Sequence, residues 1–193
     1  MKKNFFVLPV LILILSGCVT GISWKTQKEE IPEKIMGTGL KTRNELVSFF
    51  MDNNSKADRE KVSRLAGYYI NKCAKEGVNH DVAFVQMCLE TGFLRFGGLV
   101  TESMNNFCGL GAIDENQRGC VFSSESEGVL AHVQHLKAYG SKEPLNTKCV
   151  DPRYKYVTPK GKSPYISGLA GTWAADKEYG TKLNGLLEKL YTF

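Results

Sequence analysis

The stretch VAFVQMCLETGFLRFGGLVTESMNNFCGLGA, residues 82–112, contains a helical pattern followed by a glycine-rich loop. Its apolar residues recur three or four positions apart, at Val82, Val85, Leu89, Phe93 and Phe96. This spacing predicts a helix that packs one face into a core. Glu90 lies beside that face, close to the predicted end of the helix. The stretch therefore brings one acid to the edge of the core.

Glu90 can be interpreted in two ways. Partial burial and the negative end of the helix dipole both disfavour the ionised carboxylate, so we expect its pKa to be raised. A carboxyl group that stays protonated near neutral pH is suited to act as a general acid. Glutamate is also a good helix former, and one near a helix end is most often a solvated surface residue. The helical pattern alone does not decide between these roles.

Two motifs in this stretch resemble the signature of the bacterial glucosaminidase family, whose members are peptidoglycan hydrolases. LETGFLRFGG (residues 89–98) and NNFCGLGA (residues 105–112) occur in the order and at the separation found in the family. The resemblance implies that Glu90 is the catalytic acid. It also implies that four residues of the second motif line the glycan cleft, namely Asn105, Asn106, Phe107 and Gly109.

The resemblance also implies a fold. The expected fold is mainly α, a lysozyme-like α+β domain in which a helical lobe and a small irregular or β-hairpin lobe flank the glycan cleft. WAADKEYG (residues 173–180) resembles the closing motif of the family, with Asp176 as the expected N-cap of the last helix. This similarity implies that Tyr179 belongs to the catalytic site and that Trp173 contacts the glycan. Aromatic residues at helical spacing are, however, more often part of a core.

The second catalytic group is left open by the sequence. The acidic candidates are Glu127, Glu125, Asp114 and Glu115. Relatives carry an acid at the position of Glu127, which is therefore a candidate catalytic residue. Ser124 and Glu127 also form a capping-box pattern, which explains Glu127 without catalysis. Assistance by the N-acetyl group of the substrate would need no second acid.

Capping patterns predict the first three helices. Residues 42–45 (TRNE) form a capping box that opens a short helix. A second helix is expected from about residue 56 to 75, ending at Gly77. Asn79 or Asp81 can cap the third helix, which carries Glu90.

The second half of the chain has fewer helical patterns. Residues 97–122 lose the helical period and predict loops with a small hairpin that ends at residues 120–122. Another helix is expected from Ser124 to Gly140, and it contains His132 and His135. Because both histidines lie within an amphipathic helix, pairing of either with a cysteine in a protease site is disfavoured.

Composition limits the classes of function. The 193 residues suggest one domain with appendages. The net charge of +5 favours an anionic surface, but no arginine-rich cluster indicates a nucleic-acid partner. His80 has no second His or Cys at metal-ligand spacing, and no cofactor motif is present, so neither a metal nor a cofactor is expected.

The N-terminus resembles a bacterial lipoprotein signal. Residues 1–17 combine Lys2 and Lys3 with an apolar run that is short for a transmembrane helix, and LSGC ends at Cys18. The resemblance implies lipidation of Cys18 and attachment to the cell envelope, with Val19 favouring the outer membrane. An ordinary secretory peptide or a signal anchor is the alternative. Residues 18–41 are expected to form a tether and residues 42–193 the domain.

Five cysteines remain beyond Cys18, an odd number for an oxidising compartment. Cys73 and Cys88 lie on predicted core faces and can act as small apolar residues. A disulfide between Cys108 and Cys120 would close the predicted hairpin, and Cys149 is a rival partner for either.

These observations predict hydrolysis of the β-1,4 bond after N-acetylglucosamine in peptidoglycan. A lytic transglycosylase would share the fold and the single glutamate but release a 1,6-anhydromuramic end. A lipoprotein that binds the cell wall without catalytic activity is the non-enzymatic alternative.

Replacing the lipidated residue tests the predicted anchor. We expect Cys18→Ser to move the protein from the membrane fraction to the soluble fraction, because the acyl chains can no longer be attached. Immunoblotting of fractionated cells measures this, with Cys149→Ser as the control. Retention of Cys18→Ser in the membrane fraction would contradict lipidation.

Overall fold

The computed structural model describes residues 30–193 and is built mainly from five helices. These are α1 (Arg43–Asn53), α2 (Arg59–Glu76), α3 (His80–Thr91), α4 (Glu125–Gly140) and α5 (Tyr179–Leu190). The predicted signal peptide, Cys18 and residues 19–29 of the predicted tether lie outside the described residues. In the part of the chain that is described, no helix combines the length and hydrophobicity needed to cross a membrane.

Most predicted helix ends are confirmed. They were predictable because a capping side chain bonds to backbone groups only a few residues away. Thr42 and Glu45 form the expected capping box at the start of α1. Asn79, not Asp81, caps α3 by accepting hydrogen bonds from the first turn. Ser124 caps α4 as predicted.

The predicted cap of the last helix is wrong. The N-cap of α5 is Glu178, whose side chain makes no capping hydrogen bond. Asp176 lies two residues earlier and its Oδ1 accepts from the backbone N–H of Glu178 at 2.9 Å. The carboxylate therefore closes an Asx turn that leads into the helix.

Helix α3 forms the centre of the domain, and ten of its twelve residues are buried. It packs against α5 and α2, while α2 also packs along α1 and α4. Aromatic side chains fill the space between these helices, with edge contacts between Phe50 and Phe84 and between Tyr69 and Phe84. Burial on all sides explains why α3 has an almost continuous apolar sequence.

The predicted domain boundary at residue 41 is wrong. Ile35 is fully buried in the core, and its backbone N–H donates to the carbonyl of Pro164 at 3.1 Å. The backbone N–H groups of Leu40 and Lys41 both donate to the side chain of Asp81 at the start of α3. Residues 31–41 therefore pack onto the domain. The burial of Ile35 and these hydrogen bonds fix the segment, although its sequence has no helical period.

The irregular lobe contains no regular hairpin within the described chain. Residues 97–122 form loops with one isolated bridge between Asp114 and Gln117. The backbone N–H of Cys120 donates to the carbonyl of Leu110, which brings the two arms of the loop together without forming strands. The cysteines described, including Cys108 and Cys120, are free thiols, so the disulfide that the sequence allowed is not formed.

A buried ion pair fixes the long connection between α4 and α5. The carboxylate of Glu76, at the end of α2, accepts from Lys137 Nζ of α4 at 3.0 Å. It also accepts from the backbone N–H groups of Asn146 and Thr147. Burial by itself would raise the pKa of Glu76, but the hydrogen bonds from Thr147, Asn146 and Lys137 lower it.

Breaking this ion pair is expected to destabilise the domain. We expect Lys137→Met to lower the free energy of unfolding by about 3 kcal/mol, because the buried carboxylate of Glu76 loses its counter-ion. Urea denaturation measures the change. The control is Lys189→Met, which breaks an exposed pair with Asp52 and should cost less than about 1 kcal/mol. Equal losses in the two variants would contradict this account.

Candidate active site

Glu90 lies at the base of an open cleft of about 530 Å³. One wall of the cleft is formed by the last two residues of α3, Glu90 and Thr91, and by Gly92 and residues 95–100, which follow the helix. The opposite wall contains Asn106, Gly109 and Ala112 from the irregular lobe. The cleft therefore lies between a helical lobe and an irregular lobe, as predicted.

The first wall is a strained loop. Helix α3 ends at Thr91, close to Glu90 as predicted, and Gly92 adopts the left-handed conformation, so Phe93 and Phe96 of the apolar pattern lie beyond the helix. Phe93, Leu94 and Phe96 also have positive φ angles, which cost about 1–3 kcal/mol each for bulky residues.

Contacts with the end of α1 hold the strained loop in place. Asn54 Nδ2 donates to the carbonyl of Phe93 at 2.9 Å. The guanidinium of Arg95 donates to the carbonyls of Asn53 and Gly92 at 2.7 and 3.0 Å. The two long-range hydrogen bonds, from Asn54 to Phe93 and from Arg95 to Asn53, explain why the chain leaves the helical path here.

The opposite wall is organised by the side chain of Asn106. Its Nδ2 donates to the carbonyls of Leu110 and Cys120, and its Oδ1 accepts from the backbone N–H of Leu110. The side-chain amide of Asn106, which was expected to contact the glycan, instead forms hydrogen bonds within its own lobe. Gly109 lines the cleft with a φ of 67°, and a Cβ atom added there would lie 3.8 Å from Glu90 Oε2.

The carboxyl group of Glu90 is held through one of its two oxygens. Oε1 accepts from Trp173 Nε1 at 2.8 Å and from the hydroxyl of Tyr179. Burial raises the pKa of Glu90, and the hydrogen bonds from Tyr179 and Trp173 oppose this effect without cancelling it. The predicted direction of the pKa shift is confirmed.

Trp173 and Tyr179 reach Glu90 from segments far away in sequence. Trp173 is presented by a turn in which its backbone N–H donates to the carbonyl of Leu169 at 2.9 Å. Its ring contacts the rings of His135 and Tyr139, both at 5.2 Å between centroids. Tyr179 is buried at the first position of α5. The structure thus brings both predicted aromatic residues to the predicted acid.

Further hydrogen bonds extend behind Tyr179 into the core. Gln86 Nε2 donates to the hydroxyl of Tyr179 at 2.9 Å, and His132 Nε2 contacts Gln86 Oε1 at 3.0 Å. The hydroxyl of Tyr69 contacts His132 Nδ1 at 2.8 Å. Burial lowers the pKa of His132 to about 3, so this imidazole is neutral.

Three residues predicted to contact the glycan, Asn105, Phe107 and Trp173, are not among the residues that line the cleft. Phe107 is fully buried in the main core, so the expectation that it contacts substrate is wrong. Asn105 has a φ of 49°, and its Nδ2 donates to the carbonyl of Phe122. Its backbone carbonyl lies against Gly128 of α4, where a Cβ atom would be only 1.8 Å away. Asn105 therefore joins the irregular lobe to α4.

The candidate second acids have other partners. Glu127 is exposed and accepts from the backbone and hydroxyl of Ser123, which lowers its pKa. Ser124 accepts from the backbone of Glu127, so this acid stabilises the start of α4 and does not line the cleft. Glu125 pairs with Arg64 and Lys61.

The two remaining acids belong to an exposed turn. Asp114 accepts from the backbone N–H groups of Asn116 and Gln117, and Glu115 is exposed in the same turn. Neither lines the cleft. Among the described residues that line it, Glu90 is the acidic one.

Sequence reasoning missed the contribution of Gln86 and His132. Gln86 lies four residues before Glu90, and this spacing predicts that the two side chains lie on the same side of α3. His132 was considered only as a protease residue. His80 begins α3 and is buried, with Nε2 at 2.9 Å from the carbonyl of Lys41.

Known structures show the same fold. Two crystal structures of S. aureus autolysin E match with a TM-score of 0.51 and 13% sequence identity, covering 83% of this chain and 71% of theirs. One is a complex with the muropeptide NAM-L-Ala-D-iGlu, and the other is a catalytic mutant in complex with the disaccharide NAG-NAM. The match confirms the predicted lysozyme-like glucosaminidase fold.

Sequence comparisons define the family. An uncharacterized protein of Borreliella burgdorferi is 37% identical over 199 residues, which cover 100% of this chain and 97% of that protein. The sequence pattern of the family described as mannosyl-glycoprotein endo-beta-N-acetylglucosaminidase matches residues 66–192. This match covers well over half of the chain. The chain therefore belongs to the glucosaminidase family and is a glycoside hydrolase, as its motifs predicted.

Proposed function

We propose that this protein hydrolyses the β-1,4 glycosidic bond after N-acetylglucosamine in peptidoglycan, with Glu90 as the general acid. The supporting observation is a partly buried carboxyl group with a raised pKa, held by Trp173 and Tyr179 at the base of an open cleft. Peptidoglycan is supported as the substrate by the family and by the wall fragments bound in the autolysin E structures.

The first chemical step needs a proton at the leaving oxygen. Glu90 donates its proton to the glycosidic oxygen while the bond from that oxygen to C1 breaks and positive charge develops on the sugar ring. The carboxylate that forms then accepts hydrogen bonds from Trp173 and Tyr179. These preorganised donors stabilise negative charge that appears only as the reaction proceeds.

The second group is proposed to come from the substrate. Since Glu127 does not line the cleft and bonds to Ser123, the carbonyl oxygen of the N-acetyl group is the nucleophile that attacks C1. A cyclic oxazolinium ion forms, which keeps the N–H of the acetamide, and water then opens it at C1 while the carboxylate of Glu90 takes the proton from that water. Two displacements at C1 predict a product that retains the β configuration.

We also propose that the enzyme acts in the cell envelope, anchored by lipid on Cys18. The LSGC sequence and the peptidoglycan substrate support this location. Trp173 is proposed to hold Glu90 in position, while Gly109 lets the sugar approach Oε2.

Replacing the acid tests the proposed reaction. We expect Glu90→Gln to abolish the release of fragments from purified peptidoglycan, because the amide cannot donate a proton of suitable acidity. Thermal unfolding should change little, since the amide oxygen can still accept from Trp173. Mass spectrometry of the soluble fragments should show reducing N-acetylglucosamine ends with the wild type only.

A matched control is Glu127→Gln, which makes the same chemical change at the start of α4. It should retain most of the activity, whereas loss comparable to Glu90→Gln would restore Glu127 as the second catalytic group. Anhydromuramic ends from the wild type would indicate a lytic transglycosylase. Wall binding without any fragments would indicate an inactive binding protein.

A further inference from the structure

A continuous chain of hydrogen bonds runs from the core of the domain to the carboxyl group of Glu90. It begins at Tyr69 on α2, passes through His132 on α4 and Gln86 on α3, and reaches Tyr179 on α5. Tyr179 donates to Glu90 Oε1. Four helices therefore contribute one member each behind the acid.

The chemistry of the members gives this chain one direction. Gln86 Oε1 can only accept, so His132 Nε2 carries the hydrogen that links them. Because the imidazole is neutral, Nδ1 has no hydrogen and accepts from the hydroxyl of Tyr69. Gln86 Nε2 donates to Tyr179, which donates to Glu90. Every hydrogen bond is thus donated towards Glu90, an arrangement in which neighbouring bonds polarise one another.

The direction of the chain decides which oxygen of Glu90 can hold the acid proton. Oε1 already accepts from Tyr179 and from Trp173 Nε1. A proton on Oε1 would face two donor hydrogens, so Oε2 is the favourable position. Oε2 is the oxygen near Gly109 in the wall of the cleft. The proton is therefore held on the side where a glycan can bind.

We propose that Gln86, His132 and Tyr69 are positioning residues that fix the direction of this hydrogen-bond chain and so keep the acid proton of Glu90 on Oε2. This inference depends on the proposed role of Glu90 as the general acid. None of the three residues touches the cleft, so each acts through Tyr179.

Loss of the amide at position 86 shows why the direction matters. Without Gln86 Nε2, a lone pair of the Tyr179 hydroxyl is unoccupied and this hydroxyl can rotate. It can then accept a hydrogen bond from a protonated Oε1, so that the acid proton points into the core, away from the bond to be cleaved. The turnover rate should fall while substrate binding changes little, because the cleft walls keep their structure.

The variants isolate this role within the full chain, purified in detergent. Gln86→Leu and His132→Leu interrupt the chain. His132→Gln should rescue it, because a glutamine amide can place an N–H group near the position of His132 Nε2. Tyr69→Phe removes only the hydroxyl that fixes the imidazole tautomer.

Two controls remove comparable groups elsewhere. Gln134→Leu removes an equally buried amide of α4, whose partners lie in residues 147–151. Tyr191→Phe removes a hydroxyl that donates to Asp81, at the opposite end of α3 from Glu90.

The first readout is the pKa of Glu90, measured by ¹³C NMR of glutamate carboxyl groups and assigned with Glu90→Gln. Because the hydrogen bond from Tyr179 lowers this pKa, Gln86→Leu and His132→Leu should raise it. The alkaline limb of the pH–rate profile should shift upward by the same amount, and kcat should fall about tenfold with KM nearly constant. Tyr69→Phe should show smaller shifts in the same direction.

The outcomes separate this inference from the proposed function. Both controls should leave the pKa of Glu90 unchanged, and His132→Gln should stay close to the wild type. An unchanged pKa and kcat in folded Gln86→Leu, or equal losses in His132→Gln and His132→Leu, would overturn the positioning role. Should Gln86→Leu not fold, an unchanged Glu90 pKa in Tyr69→Phe would overturn it. Hydrolysis that persists in Glu90→Gln would instead disprove the proposed function.

Discussion

A carboxyl group whose pKa is raised by burial at the edge of a hydrophobic core is the feature on which the rest of this structure depends. Glu90 must be sufficiently removed from water for its pKa to rise, yet one of its oxygens must face the cleft. Helix α3 meets both requirements because it is buried along most of its length and ends just beyond Glu90. The left-handed turn at Gly92 then directs the chain away from the core and opens the cleft.

The surroundings of Glu90 combine opposing effects on one group. Burial disfavours the carboxylate, whereas the hydrogen bonds from Trp173 and Tyr179 favour it. Both donors meet the same oxygen, so they can stabilise the charge formed during the reaction without occupying the oxygen that faces the cleft. This division between the two oxygens depends on a donor chain that begins at Tyr69, deep in the core.

Long-range contacts maintain this geometry from three directions. The strained loop that forms one cleft wall is held to the end of α1 by two hydrogen bonds, one donated by Asn54 to the loop and one donated by Arg95 of the loop to α1. Asn106 fixes the opposite wall by bonding to its own loop. The buried pair of Glu76 and Lys137 anchors the connection that later presents Trp173. Side chains on loops and on helices together therefore hold the site.

The sequence by itself determined the features that depend on neighbouring residues. Capping by Thr42 and Ser124, the end of α2 at Gly77, the family motifs and the raised pKa of Glu90 were all predictable, because caps and helical periodicity act over a few residues. Only the tertiary structure decided the rest. It buried Phe107, gave Phe93 and Phe96 positive φ angles, packed residues 31–41 onto the domain and placed Gln86 and His132 behind Tyr179. These outcomes depend on contacts between residues 39 or more positions apart, for which local patterns carry no signal.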